Sequence, residues 1–115
     1  MSQPLYFQDM KNKIADSHCH LDFKDFEEDF QEVLNNARKN KVEYFLSISV
    51  DLKKFQKILM ITKKNRNVWC STGVHPNNVP KKIDSNNIDK LKKKLILNLK
   101  NKKVVGLGET GLDFY

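Results

Sequence analysis

His18-Cys19-His20 places two imidazoles in a local pattern suited to a divalent metal ion. In an extended strand, residues i and i+2 point to the same face, so both rings project one way and Cys19 the other. Two histidines about 7 Å apart along a strand can share one ion. Gly108-Glu109-Thr110-Gly111-Leu112-Asp113, near the far end of the chain, adds a carboxylate beside glycines. His75, followed by Pro76, is the third histidine, and the chain has no other. Imidazole and carboxylate donors suit zinc, manganese and magnesium to differing degrees. Metal-assisted hydrolysis is the chemistry implied.

Positioning these residues requires regular elements. Lys13 to Ser17 reads as a first strand. Asp25 and Glu28 have the spacing of a capping box, and Phe26, Phe30, Val33, Leu34 and Ala37 recur at helical spacing, so a helix is expected to about Asn40. Glu43 to Val50 is a second strand. Asp51 is placed to cap a second helix whose buried side carries Leu52, Phe55, Ile58, Leu59 and Thr62. Asn67 to Val74 is a third strand, and Pro76 and Pro80 mark a loop. A third helix starts at Asp84 or Ser85, with Ile88, Leu91, Leu95, Ile96 and Leu99 as its apolar stripe. Lys102 to Leu107 is a fourth strand.

This β-α-β-α-β-α-β order, with long crossovers, predicts parallel strands. The near-continuous apolar runs of strands two to four predict a sheet covered on both faces. His18 and His20 follow strand one, Asp51 strand two, His75 strand three and Glu109 strand four. In parallel α/β folds, sites form on that C-terminal edge. The glycines at 106 and 108 are expected to let backbone approach closely beside Glu109.

A chain of 115 residues is one domain at most. Its net charge of +7 favours polyanionic partners such as nucleic acid, although most lysines read as solvated helix faces. Two cysteines make no disulfide framework, which implies a reducing compartment. Cys19 reads as a structural thiol facing the helices, and Cys70 and Trp69 as packing residues. No apolar leader precedes the first strand, and no run approaches the roughly 20 apolar residues of a membrane span. The expected location is the cytoplasm, with no membrane partner. Residues 1–12 read as a loose N-terminal leader.

Three segments together resemble the successive signatures of the TatD family: Asp16-Ser17-His18-Cys19-His20-Leu21-Asp22, Gly73-Val74-His75-Pro76 and Gly108-Glu109-Thr110-Gly111-Leu112-Asp113-Phe114-Tyr115. The resemblance runs from about Ile14 to Tyr115 and implies a metal-dependent hydrolase, in many members a deoxyribonuclease, on a (β/α)8 TIM barrel. It implies that His18, His20 and Glu109 bind metal, with Glu109 able to bridge a pair of divalent ions. Such a pair, about 3.5–4 Å apart, clamps the attacking and leaving oxygens of a phosphodiester. His75 is implied to contact substrate and act in catalysis with Glu109. Asp113 and Tyr115 match the motif without a role beyond shaping the pocket rim.

A complete barrel needs about 250 residues. The fold expected here is α/β, the N-terminal half of a (β/α)8 barrel, with residues 13–115 as an incomplete TatD-like domain. The further ligands implied by the resemblance, two histidines from strands five and six and an aspartate from strand eight, have no counterpart. A truncated frame, a split gene or an expressed fragment are the expectations. The partners expected are DNA and either a complementary C-terminal half or a second copy of the chain. The first functional expectation is a divalent-metal deoxyribonuclease. The alternative is an inactive remnant with non-specific nucleic-acid binding, and the third is another amidohydrolase-like activity whose substrate is set by the barrel loops.

Overall fold

The computed structural model describes residues 12–111. All of the expected leader except Asn12 lies outside the described residues, as do Asp113 and Tyr115. Four strands, β1 (Ile14–Cys19), β2 (Val42–Ser47), β3 (Val68–Thr72) and β4 (Val104–Leu107), alternate with three helices, α1 (Phe30–Lys39), α2 (Phe55–Lys64) and α3 (Ser85–Leu99). The sheet order is β1-β2-β3-β4 and every pairing is parallel. Each helix is therefore a crossover between neighbouring strands.

The helices pack on one face of the sheet in two adjoining clusters. Leu34 of α1 is buried with Phe45, Val68 and Leu21, with Cys19, Phe30 and Ala37 packed around them. Phe55, Ile58 and Leu59 of α2 close over Cys70 and Val104. Phe55, Ile58, Leu59 and Thr62 fall on the buried side of α2 as their spacing predicts, and Leu52 is buried just ahead of the helix. Cys19 faces the helices, its Sγ donating to the Leu46 carbonyl at 3.5 Å. Burial pushes the Cys19 thiol up to about 12 and the Cys70 thiol up to about 11.

Three expectations are corrected. The Asp25–Glu28 box does not cap a helix: Lys24–Phe26 is a single 3-10 turn, and α1 begins later, at Phe30, without a side-chain cap on Asp29. Lys57 explains part of this, because its Nζ bridges Glu27 and the Asp22 carbonyl and holds the segment across α2. The apolar stripe of α3 is only partly covered: Leu91 and Leu95 are half-buried, but Ile88, Ile96 and Leu99 are exposed. Asn98 lies buried instead, donating to Thr72 Oγ1 at 2.9 Å. The sheet is covered on its helix face only, since Val105 and Leu107 are 59% and 55% exposed.

The strands are also offset from their expected ends. β1 runs through His18 and Cys19, whereas β2 and β3 stop earlier than their apolar runs. The ends opposite the site are secured by Lys103, whose Nζ donates to the carbonyls of Asn65, Arg66 and Val68 while lying 4.6 Å from the centroid of the Trp69 ring. Trp69 is thus a packing residue, beside Tyr44. Among the described residues, no helix is long and apolar enough to cross a membrane.

Phe55→Ala should lower the unfolding free energy by about 3–5 kcal/mol, because it empties a fully buried site. Urea titration followed by circular dichroism checks this. Thiols are nucleophilic only as thiolates, so a disulfide reagent at pH 8 should leave Cys19 and Cys70 unmodified in the native protein and titrate both in denaturant. Prompt reaction of either native thiol would contradict their assignment to the core.

Candidate metal centre

The C-terminal edge of the sheet gathers the predicted residues. His18 is inside β1 and His20 follows its last residue. Between Asp16 and Cys19 the β1–β2 register shifts, with three steps on β1 against two on β2. Such a bulge leaves an unpaired backbone donor, and Asp16 Oδ1 accepts from the His18 N–H at 3.0 Å. The two imidazoles stand edge to face with centroids 5.2 Å apart, close enough to share one ion.

Glu109, just beyond β4, reaches three imidazoles. Its Oε1 lies 3.0 Å from His18 Nε2 and 3.7 Å from His20 Nε2, and its Oε2 lies 3.2 Å from His75 Nε2. Ligand atoms of His18, His20 and Glu109 all fall within 4.8 Å of one another. Glu109, His20 and His75 side chains are about a quarter to a third exposed, while that of His18 is 58% exposed. The centre is therefore open on the β1 side.

Hydrogen bonds distinguish two of the rings. His20 Nδ1 is 3.0 Å from the Ile48 carbonyl, which can only accept, so Nδ1 carries a ring hydrogen and, in the neutral ring, Nε2 presents a lone pair. That is the state of a ligating histidine whose other nitrogen is tethered to a carbonyl. His75 is the reverse. Its Nδ1 accepts from the Asn77 N–H at 3.1 Å, which places the ring hydrogen on Nε2, facing Glu109 Oε2. The donor set therefore fits one divalent ion between His18, His20 and Glu109, with His75 as a hydrogen-bond donor beside it.

Asp51 is not part of the centre: its Oδ1 accepts from the Lys53 N–H at 2.8 Å and caps the turn before α2. Asp22, two residues past His20, is buried with its Oδ1 unpartnered. Burial raises its carboxyl above the usual range, against the pull of its own backbone N–H, His20 and Lys57.

Hydroxyls that sequence reasoning did not single out lock the edge together. Ser47 Oγ accepts from the Leu21 N–H at 3.1 Å. Ser71 Oγ accepts from the Ser49 N–H at 3.2 Å and donates to the Gly108 carbonyl at 2.8 Å. These bonds tie the ends of β1, β2, β3 and β4 into one layer. The close backbone approach expected at glycines 106 and 108 is made by Gly108, but against Gly73, and Gly73 is the residue that has no room for a Cβ. A Cβ there would lie 2.4 Å from the Gly108 carbonyl group, whereas Gly106 and Gly108 have open space. A Cβ on Gly111 would strike the Pro76 ring at 2.5 Å, so the loops after β3 and β4 are also in contact. The glycines of the histidine and glutamate motifs were the available signal for this docking.

A parallel sheet with helical crossovers and a histidine–carboxylate cluster on its C-terminal edge is the fold of the N-terminal half of a (β/α)8 barrel. Residues 15–115 match the TatD related DNase family, and the chain belongs to it. The chain is 42% identical over 105 residues to a protein of Buchnera aphidicola subsp. Baizongia pistaciae described as an uncharacterized metal-dependent hydrolase, covering 89% of this chain and 37% of that protein. It is 31% identical to the Homo sapiens deoxyribonuclease TATDN3, covering 88% of this chain and 38% of that one. The crystal structure of YjjV, a TatD homologue from Escherichia coli K12, superposes with a TM-score of 0.74 at 26% identity, over 90% of this chain and 39% of that one. The chain thus spans less than two-fifths of the length of these relatives.

Gly73→Ala should cost about 1–3 kcal/mol of stability, since neither backbone at that contact can yield freely. Gly106→Ala, with open space around it, should change stability by less than about 0.5 kcal/mol. Equal effects in thermal or urea unfolding would contradict the docking described.

Proposed function

We propose that this chain contributes the N-terminal metal ligands of a TatD-type, divalent-metal-dependent hydrolase that cleaves DNA phosphodiester bonds. The observation that carries the reading is the convergence of His18 Nε2, His20 Nε2 and Glu109 Oε1, with the His20 ring held so that its bare nitrogen faces the carboxylate. Similarity to the human deoxyribonuclease TATDN3 supports DNA as the substrate class. A bound divalent ion supplies a Lewis acid and brings water toward a usable acidity near neutral pH.

The side chains divide the work. His18, His20 and Glu109 hold the ion, and Ile48 orients His20 through its carbonyl. His75 keeps a hydrogen on Nε2, directed into the centre by the Asn77 N–H on its other nitrogen. With Glu109 engaged on the ion, that hydrogen bond would pass from Glu109 Oε2 to a phosphate oxygen, which orients the substrate and offsets negative charge developing there. The net charge of +7 draws the polyanion to the surface. The described donors suffice for one ion, so the second ion of a complete pair and its ligands come from a complementary C-terminal half. The free cysteines fit a reducing cytoplasm.

A second reading, a chain that binds nucleic acid through lysines and turns nothing over, is favoured by the donor count, since His18, His20 and His75 are all the histidines present. Calorimetric titration with Mn²⁺ or Zn²⁺ should show one ion per chain. His18→Ala and Glu109→Gln should each weaken it at least about tenfold, the loss usual even for groups that only orient a ligand. Metal-dependent cleavage of a labelled DNA strand, assayed with the complementary C-terminal half of the barrel present, should disappear in the same variants. Ion binding without cleavage even in the presence of that complementary half would favour the second reading. Cleavage that survives both substitutions would refute the first.

A further inference from the structure

We propose that Phe23 is a stacking platform for the nucleobase next to the phosphate held at the metal centre, an inference that rests on the DNA-hydrolase reading above. Phe23 is the one aromatic among the widely exposed large apolar side chains of the described residues, at 40% exposure. The other exposed apolar side chains are aliphatic or methionine, most of them on α3 and β4. Among the described residues Phe23 is the one such aromatic stacked on a ring of the centre.

Its ring is stacked on His20, with centroids 4.7 Å apart and planes within 15° of parallel. His20 Nε2 is itself 3.7 Å from Glu109 Oε1, so Phe23 is one ring away from the point on which the ligands converge. One part of the ring surface is spent on the imidazole, and the residue keeps 40% of its surface exposed. A base laid on the open surface extends the stack by one layer, with its own phosphate directed toward the ligands.

The platform is held in place before any substrate arrives. The Phe23 N–H donates to the His20 carbonyl at 3.1 Å, and the Phe26 N–H donates to the Phe23 carbonyl at 3.1 Å. On one side of this turn Leu21 is bonded to Ser47, and the Lys57 ammonium holds the Asp22 carbonyl. Stacking is sequence-tolerant because every base has a π face. Phe23 therefore grips a strand without selecting its sequence, and it requires that the base be unpaired.

Removing one base–aromatic stack typically weakens binding about tenfold. The test is fluorescence anisotropy of this chain with a short labelled DNA strand and with the same strand carrying abasic sites, at one fixed ionic strength. The wild-type chain should bind the base-bearing strand about tenfold more tightly. Phe23→Ala should erase that difference and Phe23→Trp should keep it, while circular dichroism shows both variants folded. Equal wild-type affinity for the two strands, or a difference that survives in Phe23→Ala, would overturn the role of Phe23. A Phe23→Ala variant that loses metal affinity yet keeps the base preference would reduce Phe23 to a support for His20. Binding of neither strand would overturn the DNA reading itself.

Discussion

The centre depends on the curvature of the sheet. β1 and β4 are its two opposite edges, separated by three interstrand steps. In a flat sheet that separation is about 14 Å. Yet His18, on β1, and Glu109, after β4, approach within 3.0 Å. Only a sheet that curls toward its uncovered face brings two such side chains to one point. The register shifts at Asp16–Cys19 and at Cys70–Ser71 lie where this curl is needed, and bulges increase local bend and twist. Gly73 lets the end of β4 lie directly against β3, and the hydroxyls of Ser47 and Ser71 bind the curved edge into one layer.

Curvature also explains the electrostatics. It places one carboxylate among three imidazoles in a partly desolvated layer, where each charge-assisted contact counts for more than in water. The surrounding backbone then assigns the rings different tasks. The Ile48 carbonyl turns His20 into an acceptor, and the Asn77 N–H turns His75 into a donor. One edge thus carries both a place for a cation and a hydrogen bond for an anionic oxygen beside it. The phosphodiester cleavage proposed above uses both.

Much of this was legible in residue types and spacing. His18, His20, His75 and Glu109 fall on the C-terminal edge because β-α alternation forces every strand to point the same way. The face of α2 was legible because Phe55, Ile58, Leu59 and Thr62 repeat at helical spacing and all meet the sheet. The start of α1 was not, because Lys57 ties the Asp22 carbonyl and Glu27 to α2 and the segment between them closes as a 3-10 turn. The apolar stripe of α3 is wider than the line that touches the sheet, and a buried Asn98 interrupts it. Ser47 and Ser71 carry no pattern of their own, since their role exists only once neighbouring strand ends are brought together. Gly73 could be read as a glycine of a motif, but the backbone it makes room for lies 35 residues away at Gly108.

The most direct test of the central claim is anomalous diffraction from crystals of this chain grown with Zn²⁺. The account predicts a metal peak about 2.0–2.2 Å from His18 Nε2, His20 Nε2 and a Glu109 oxygen, with the His20 Nδ1 bond to Ile48 retained. A peak elsewhere, or no peak at this edge with His18 and Glu109 still in contact, would contradict it.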